Sequence, residues 1–213
     1  RIHNVGAPQL DELRNGKYGD INSLSTKLGL DLSEKFFLVV QHPVTDTAGD
    51  AKNQILETLR ALNGFEQMKI VILPNNDAGS ALLRQGLESF KSGNYLVFSN
   101  LAREDYLCLL RNAQCLVGNS SSGILEAPFF KVPVVNLGER QKGRLRGRNV
   151  IDVEYVSKEI AKAIKYVIHD QSFLESLKKC DSPYGDGQSS RRILDILRST
   201  PVDASLLTKN LTY

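Results

Sequence analysis

Residues Val117–Arg144 read VGNSSSGILEAPFFKVPVVNLGERQKGR. A short apolar run, Cys115–Val117, meets a Gly-Asn-Ser-Ser-Ser-Gly turn and then a helical pattern over Gly123–Phe130. A second short apolar run follows at Pro133–Asn136, and then a basic loop. Strand, small-residue turn, helix and strand in that order predict a parallel α/β unit. Many such folds hold phosphate at this turn, because loop N–H groups and the helix N-terminus present partial positive charge to one spot. Glu126 lies about one helical turn beyond that spot, and Arg140 and Arg144 stand on the next loop. A small turn, an acid and then arginines is the set a nucleoside diphosphate with its ribose requires.

The same alternation continues outward in both directions. Phe36–Gln41 reads as a buried strand, Met68–Leu73 as a second and Tyr95–Phe98 as a third. The spacing of Ile55, Leu56, Leu59 and Leu62 predicts a helix over Asp50–Leu62. Further helices are expected over Ser80–Phe90, with Gly93 just past its end, and over Glu104–Asn112. Asn149–Val153 reads as a sixth strand, followed by helices over Ser157–His169, Ser172–Lys179 and Ser189–Leu197. Such an order builds a parallel sheet covered by helices on both faces, with the strand C-termini and their loops on one edge. Residues 31–200 are read as this domain, 1–30 as a connector with a short helix, and 201–213 as a tail.

With 213 residues, 41% hydrophobic and 24% charged, the composition is that of an ordinary globular domain. A net charge of +3 gives no case for nucleic acid, and no apolar stretch approaches the ~20 residues of a membrane helix. Cys108, Cys115 and Cys180 form no CxxC pair and fit reduced thiols in a cytoplasmic protein. His3, His42 and His169 lack partners at metal-ligand spacing, so no metal site is expected. Asn210-Leu-Thr is formally a glycosylation sequon, without meaning for a cytosolic chain. No secretory signal is visible, and the opening at Arg1 fits a piece of a longer protein.

At this point the chain resembles the C-terminal half of the UDP-N-acetylglucosamine 2-epimerases. The resemblance rests on GAPQLD near the start, QHPVTDT after the first strand, LPNNDAGS after the second, GNSSSGILEAP after the fourth and NLGERQKGR after the fifth. YGDG at Tyr184–Gly187 also matches, and roughly residues 4–200 are covered. NLGERQKGR is similar to the hydrolysing branch, which releases N-acetylmannosamine or a related sugar plus UDP. The resemblance implies one of the two Rossmann-like domains of a GT-B fold. The family's acids for proton abstraction and elimination lie mainly in the other, N-terminal domain, which no part of this sequence matches. The expectation is therefore a UDP half-site that does not turn over substrate alone. A UDP-sugar and the absent domain are the implied partners, a homodimer is compatible with the family, and no cofactor is called for.

Carried over residue by residue, the resemblance implies that His42 reaches the diphosphate and supports catalysis. It implies that Asn75 borders the substrate cleft and that Leu101 offers its peptide groups to uracil. Ser120 and Ser121 are implied at the diphosphate, Glu126 at the ribose hydroxyls, and Arg140 beside the sugar and phosphates, with Arg144 as the next candidate. Planar guanidinium groups suit such bidentate recognition. Asp77 is expected to cap the following helix, and Arg146 and Arg148 to be surface residues. The serine turn lacks the GxSxG pattern of a nucleophile elbow. Two other readings stay open: the nucleotide-binding half of a GT-B glycosyltransferase, and a non-enzymatic nucleotide-sugar module.

Overall fold

The computed structural model of the chain describes residues 2–16, 18–90 and 94–207. Gly93 and the Asn210 sequon lie outside the described residues. The described residues of 17–183 form one compact unit, and those of 1–16 and 184–213 form another.

The larger unit is built on six parallel strands: β1 (Phe36–Val40), β2 (Met68–Ile72), β3 (Tyr95–Phe98), β4 (Cys115–Gly118), β5 (Val134–Leu137) and β6 (Val150–Val153). Their order in the sheet is β3-β2-β1-β4-β5-β6. This is a Rossmann-like arrangement, in which the chain runs outward from β1 one way, then returns and runs outward from β4 the other way. All five residues of β1 and all four of β4 and of β5 are buried, as expected of strands covered on both faces.

Alternation along the strands divides the core into two layers. Phe37, Val39, Cys115, Val117, Val135 and Leu137 face one way. They meet Leu62 of α3 (Ala51–Leu62), Ile160, Ile164 and Val167 of α8 (Ser157–His169), and Phe173 of α9 (Gln171–Lys178). Phe36, Leu38, Val40, Leu116 and Val134 face the other way, against Leu24 of α2 (Ile21–Leu28) and Leu109 and Leu110 of α5 (Arg103–Asn112). Burying one such side chain is worth about 1.5–3 kcal/mol. Because Leu24 belongs to this core, the sheet-bearing unit reaches back ahead of residue 31.

The single helix expected over Gly123–Phe130 is instead two short ones, α6 (Ser122–Leu125) and α7 (Ala127–Phe130), which break at Glu126. Pro128 has no N–H to return to Ile124, so the ladder cannot run through. Asp77 is also corrected: α4 (Ser80–Ser89) begins at Gly79, and no side chain caps it. Asp77 gives only its carbonyl, which accepts from Ser80 N at 3.0 Å and from Ser80 Oγ at 2.6 Å. Gly79 has φ +92°, and a Cβ there would stand 2.9 Å from Ala48 O.

The smaller unit joins α1 (Gln9–Arg14) to α10 (Ser189–Ser199), with α11 (Ala204–Leu207) beyond. The Asp11 carboxylate accepts from Ser189 N at 2.9 Å and Ser190 N at 2.7 Å, capping a helix 178 residues away. Ala7 N donates to Tyr184 O at 2.7 Å, and Arg192 grips Asp186 with two bonds of 2.7 and 2.8 Å. GAPQLD and YGDG, distant in sequence, therefore make one local structure.

Candidate functional site

Loops after β1 and β4 diverge at the point where the strand order reverses, and the crevice of a doubly wound sheet opens there. The last register pair is Val40 with Gly118. Gly118 has φ +141°, and a Cβ would lie 2.0 Å from Val40 O, so only glycine allows this close approach.

Asn119 follows and is fully buried. Its Oδ1 accepts from His42 N at 2.7 Å, and its Nδ2 donates to His42 O at 2.8 Å and to the Tyr155 hydroxyl at 3.1 Å. Its own carbonyl accepts from Arg140 Nη1 at 3.1 Å and from Gln141 Nε2 at 2.8 Å. One side chain and its peptide thus tie the loops after β1, β4 and β5 together. Tyr155 closes over Gly138, whose φ is +61° and where a Cβ would meet the ring at 2.4 Å.

His42 is half-buried, and its Nδ1 is buried without a protein partner among the described residues. Burial, and then the Arg140 guanidinium, hold it below the ordinary histidine range, against the opposite pull of Asp77. The imidazole is accordingly neutral at pH 7 and offers a donor without a charge.

Ser120 and Ser121 are partly exposed at the turn. Ser122 N donates to Ser120 Oγ at 3.3 Å, the two hydroxyls are 3.0 Å apart, and Tyr106 of α5 bonds to Ser122 Oγ. Glu126 sits at the break between α6 and α7, 7% exposed, and its Oε1 accepts from Arg103 Nη2 at 2.9 Å. The kink turns this carboxylate toward α5 instead of along a continuous helix.

Asn75 is exposed and lines a cleft of about 420 Å³ with His42, Pro74, Arg84, Ser99 and Asn100. Leu101 packs its side chain against the core, and among the described residues its peptide N–H and C=O form no hydrogen bond. Arg144 is exposed and contributes its carbonyl to Arg146 Nη1 at 2.7 Å. Arg146, expected at the surface, is partly buried: it also bonds Gln141 O at 3.0 Å and pairs with Asp152 at 2.8 Å, bracing the loop.

Seven of the eight expected residues thus stand on the loops after five adjacent strands, with Glu126 at the helix break as the eighth, and His42 and Arg140 are joined through Asn119. Asn119, Arg103, Tyr106, Gln141 and Tyr155 were not singled out by the sequence, and Arg146 was expected only as a surface residue. Asn119 lay in plain view inside the small-residue turn, whereas nothing local marks Arg103 or Tyr106, which come from a helix one strand earlier. Among the described residues no group of three His, Cys, Asp or Glu could hold a metal. Nor is any described helix long and apolar enough to cross a membrane.

The family model described as UDP-N-acetylglucosamine 2-epimerase matches residues 1–198. A UDP-N,N'-diacetylbacillosamine 2-epimerase (hydrolyzing) of Legionella pneumophila is 31% identical over 213 residues, all of this chain and 55% of that protein. A UDP-N-acetylglucosamine 2-epimerase of Neisseria meningitidis is 34% identical over 164 residues, 77% of this chain and 43% of that protein. The chain spans about half the length of the curated relatives it matches. The crystal structure of a UDP-GlcNAc 2-epimerase from Neisseria meningitidis bound to UDP-GlcNAc shares the fold, with a TM-score of 0.76 at 17% identity over 92% of this chain and 55% of that one. The Methanocaldococcus jannaschii enzyme, in complex with UDP-GlcNAc and UDP, gives 0.69 at 20% identity over 92% and 54%. A family match over nearly the whole chain, on a sheet whose order and crevice suit a nucleotide, leads to one conclusion: the chain belongs to the UDP-N-acetylglucosamine 2-epimerase family.

Proposed function

We propose that the chain is the UDP-binding half of a hydrolysing UDP-sugar 2-epimerase, working in the cytoplasm against a facing domain that carries the catalytic acids. The observation that carries this reading is the Asn119 clasp, which gathers His42, the serine turn and Arg140 at the switch point of the sheet. In this reading Glu126, with Oε1 held by Arg103, accepts from the ribose hydroxyls. Ser120, Ser121 and Arg140 face the diphosphate, with Arg144 reaching it from the outer loop. Leu101 offers its peptide groups to uracil, and Asn75 and His42 border the sugar.

The whole enzyme removes the proton at sugar C2 and breaks the C1–O bond to the diphosphate, leaving a glycal and UDP. Water then adds across the double bond and gives the free 2-epimer. This chain's share is the leaving group: a cation and preorganised donors stabilise the charge that builds on UDP as the bond breaks. Support comes from the hydrolysing relatives and from the NLGERQKGR loop, which carries Arg140 and Gln141.

Calorimetric titration with UDP tests the half-site. Saturable binding that a Glu126→Ala, Arg140→Ala double variant loses supports the assignment. Equal binding by both proteins overturns it. Incubation of the full-length protein with UDP-N-acetylglucosamine and no acceptor tests the activity: release of UDP with N-acetylmannosamine is expected, and turnover only when an acceptor sugar is added would mark a glycosyltransferase.

A further inference from the structure

We propose that Tyr106 is a positioning residue that forces the Ser120 hydroxyl to act as a donor, pointing it at an anionic phosphate oxygen. The inference rests on the reading of the serine turn as the diphosphate site and adds how that turn is set.

The argument is a count of donors and lone pairs. The Tyr106 hydroxyl bonds most closely to Ser122 Oγ, with Ser120 the more distant of the two serines it meets. Burial pushes the phenol well above its ordinary range, so it stays protonated. The phenol is a stronger acid than the serine hydroxyl, and Ser122 Oγ is its nearest acceptor, so its proton goes to Ser122 Oγ. Ser122 is 7% exposed, and the acceptor facing its own proton is Ser120 Oγ at 3.0 Å. Ser120 Oγ also accepts from Ser122 N at 3.3 Å. A serine hydroxyl has two lone pairs and one proton. Both lone pairs of Ser120 are then filled from inside the protein. Its remaining proton, on a partly exposed side chain, is directed out of the chain. The turn therefore presents an obligate donor, suited to a phosphate oxygen and unsuited to a ligand that must itself donate.

Without the phenol, Ser122 Oγ is left short of a donor and accepts from Ser120, so the order of the chain reverses. Tyr106→Phe removes only that oxygen. The expected result is UDP binding weakened about tenfold, in line with the loss of one hydrogen bond to a charged group, with uridine binding unchanged. Ser122→Ala breaks the same chain, so the double variant should lose no more than about what either single one loses. Calorimetry with UDP and with uridine on the wild type and these variants reads each outcome. A Tyr106→Phe variant that binds UDP like the wild type, or that weakens UDP and uridine by the same factor, overturns the inference. An unfolded variant is recognised by losing both ligands and its thermal transition, and Ser122→Ala then decides on the same UDP-to-uridine ratio. Glu126→Ala separates the two levels: it should weaken both ligands alike through the ribose. Failure of the wild type to bind UDP into the millimolar range overturns the nucleotide reading and this inference together.

Discussion

At Asn119 every polar group is in use, and that makes a single residue hold three loops. Asn119→Ala would leave the N–H and C=O of His42 without partners, at a cost of about 2–4 kcal/mol. Urea unfolding is expected to show that loss, together with weaker UDP binding. Gly118→Ala is harsher, because a Cβ would stand 2.0 Å from Val40 O at a φ of +141°. It should destabilise by about 3 kcal/mol or more, or prevent folding, as read by soluble yield and denaturant midpoint. His42 carries a pH dependence whose sign follows from its lowered pKa. The unfolded chain takes up the proton first, near pH ~6.5. The stabilising contribution is therefore complete above that value and is lost as the pH falls through the folded pKa. Arg140→Ala should raise the His42 pKa, as NMR titration of the imidazole resonances would show, since a nearby positive charge is removed. An unchanged pKa would mean that the Arg140 charge does not reach the imidazole, and a fall would overturn the assignment of Arg140 as a lowering influence.

Among the elements, helix starts show how far a sequence can mislead about local stability. Neither α8 nor α10 is capped by its own preceding residue. Glu57 of α3 accepts from Ser157 N at 2.8 Å, and Asp11 caps α10 through Ser189 and Ser190. Asp11→Ala should cost about 1 kcal/mol and, more tellingly, speed amide exchange in the first turn of α10 while the exchange of β1 stays as it was. The break between α6 and α7 belongs to the same scale. The apolar spacing of Gly123–Phe130 promised one helix, and Pro128 together with the need to seat Glu126 beside Arg103 divided it.

For the whole molecule, the three cysteines give a probe of global opening. Cys108, Cys115 and Cys180 are free and buried, and burial pushes the Cys115 thiol up to about 12. Native protein should resist a thiol reagent, and labelling of all three should follow the unfolding transition in urea. Labelling of native protein at the full rate would mean that the core opens locally.

The sequence by itself determined the sheet. All six strands fall within a residue or two of where apolar runs between turn residues put them, and the α/β alternation dictated parallel pairing. It also determined the edge on which the special residues gather, because chirality of the crossovers puts every strand-following loop there. Ser120, Glu126 and Arg140 could be named as candidates from the small, acidic and basic residues of their segments, and His42 from the family resemblance. Only the tertiary structure decided what holds them. Arg103 and Tyr106 on α5, and Tyr155 beyond β6, meet the site across gaps of tens of residues. The distant caps on α8 and α10, and the pairing of GAPQLD with YGDG, are equally invisible along the chain. Periodicity records which face of an element is buried, whereas a hydrogen bond between remote loops depends on where the sheet has already placed both partners.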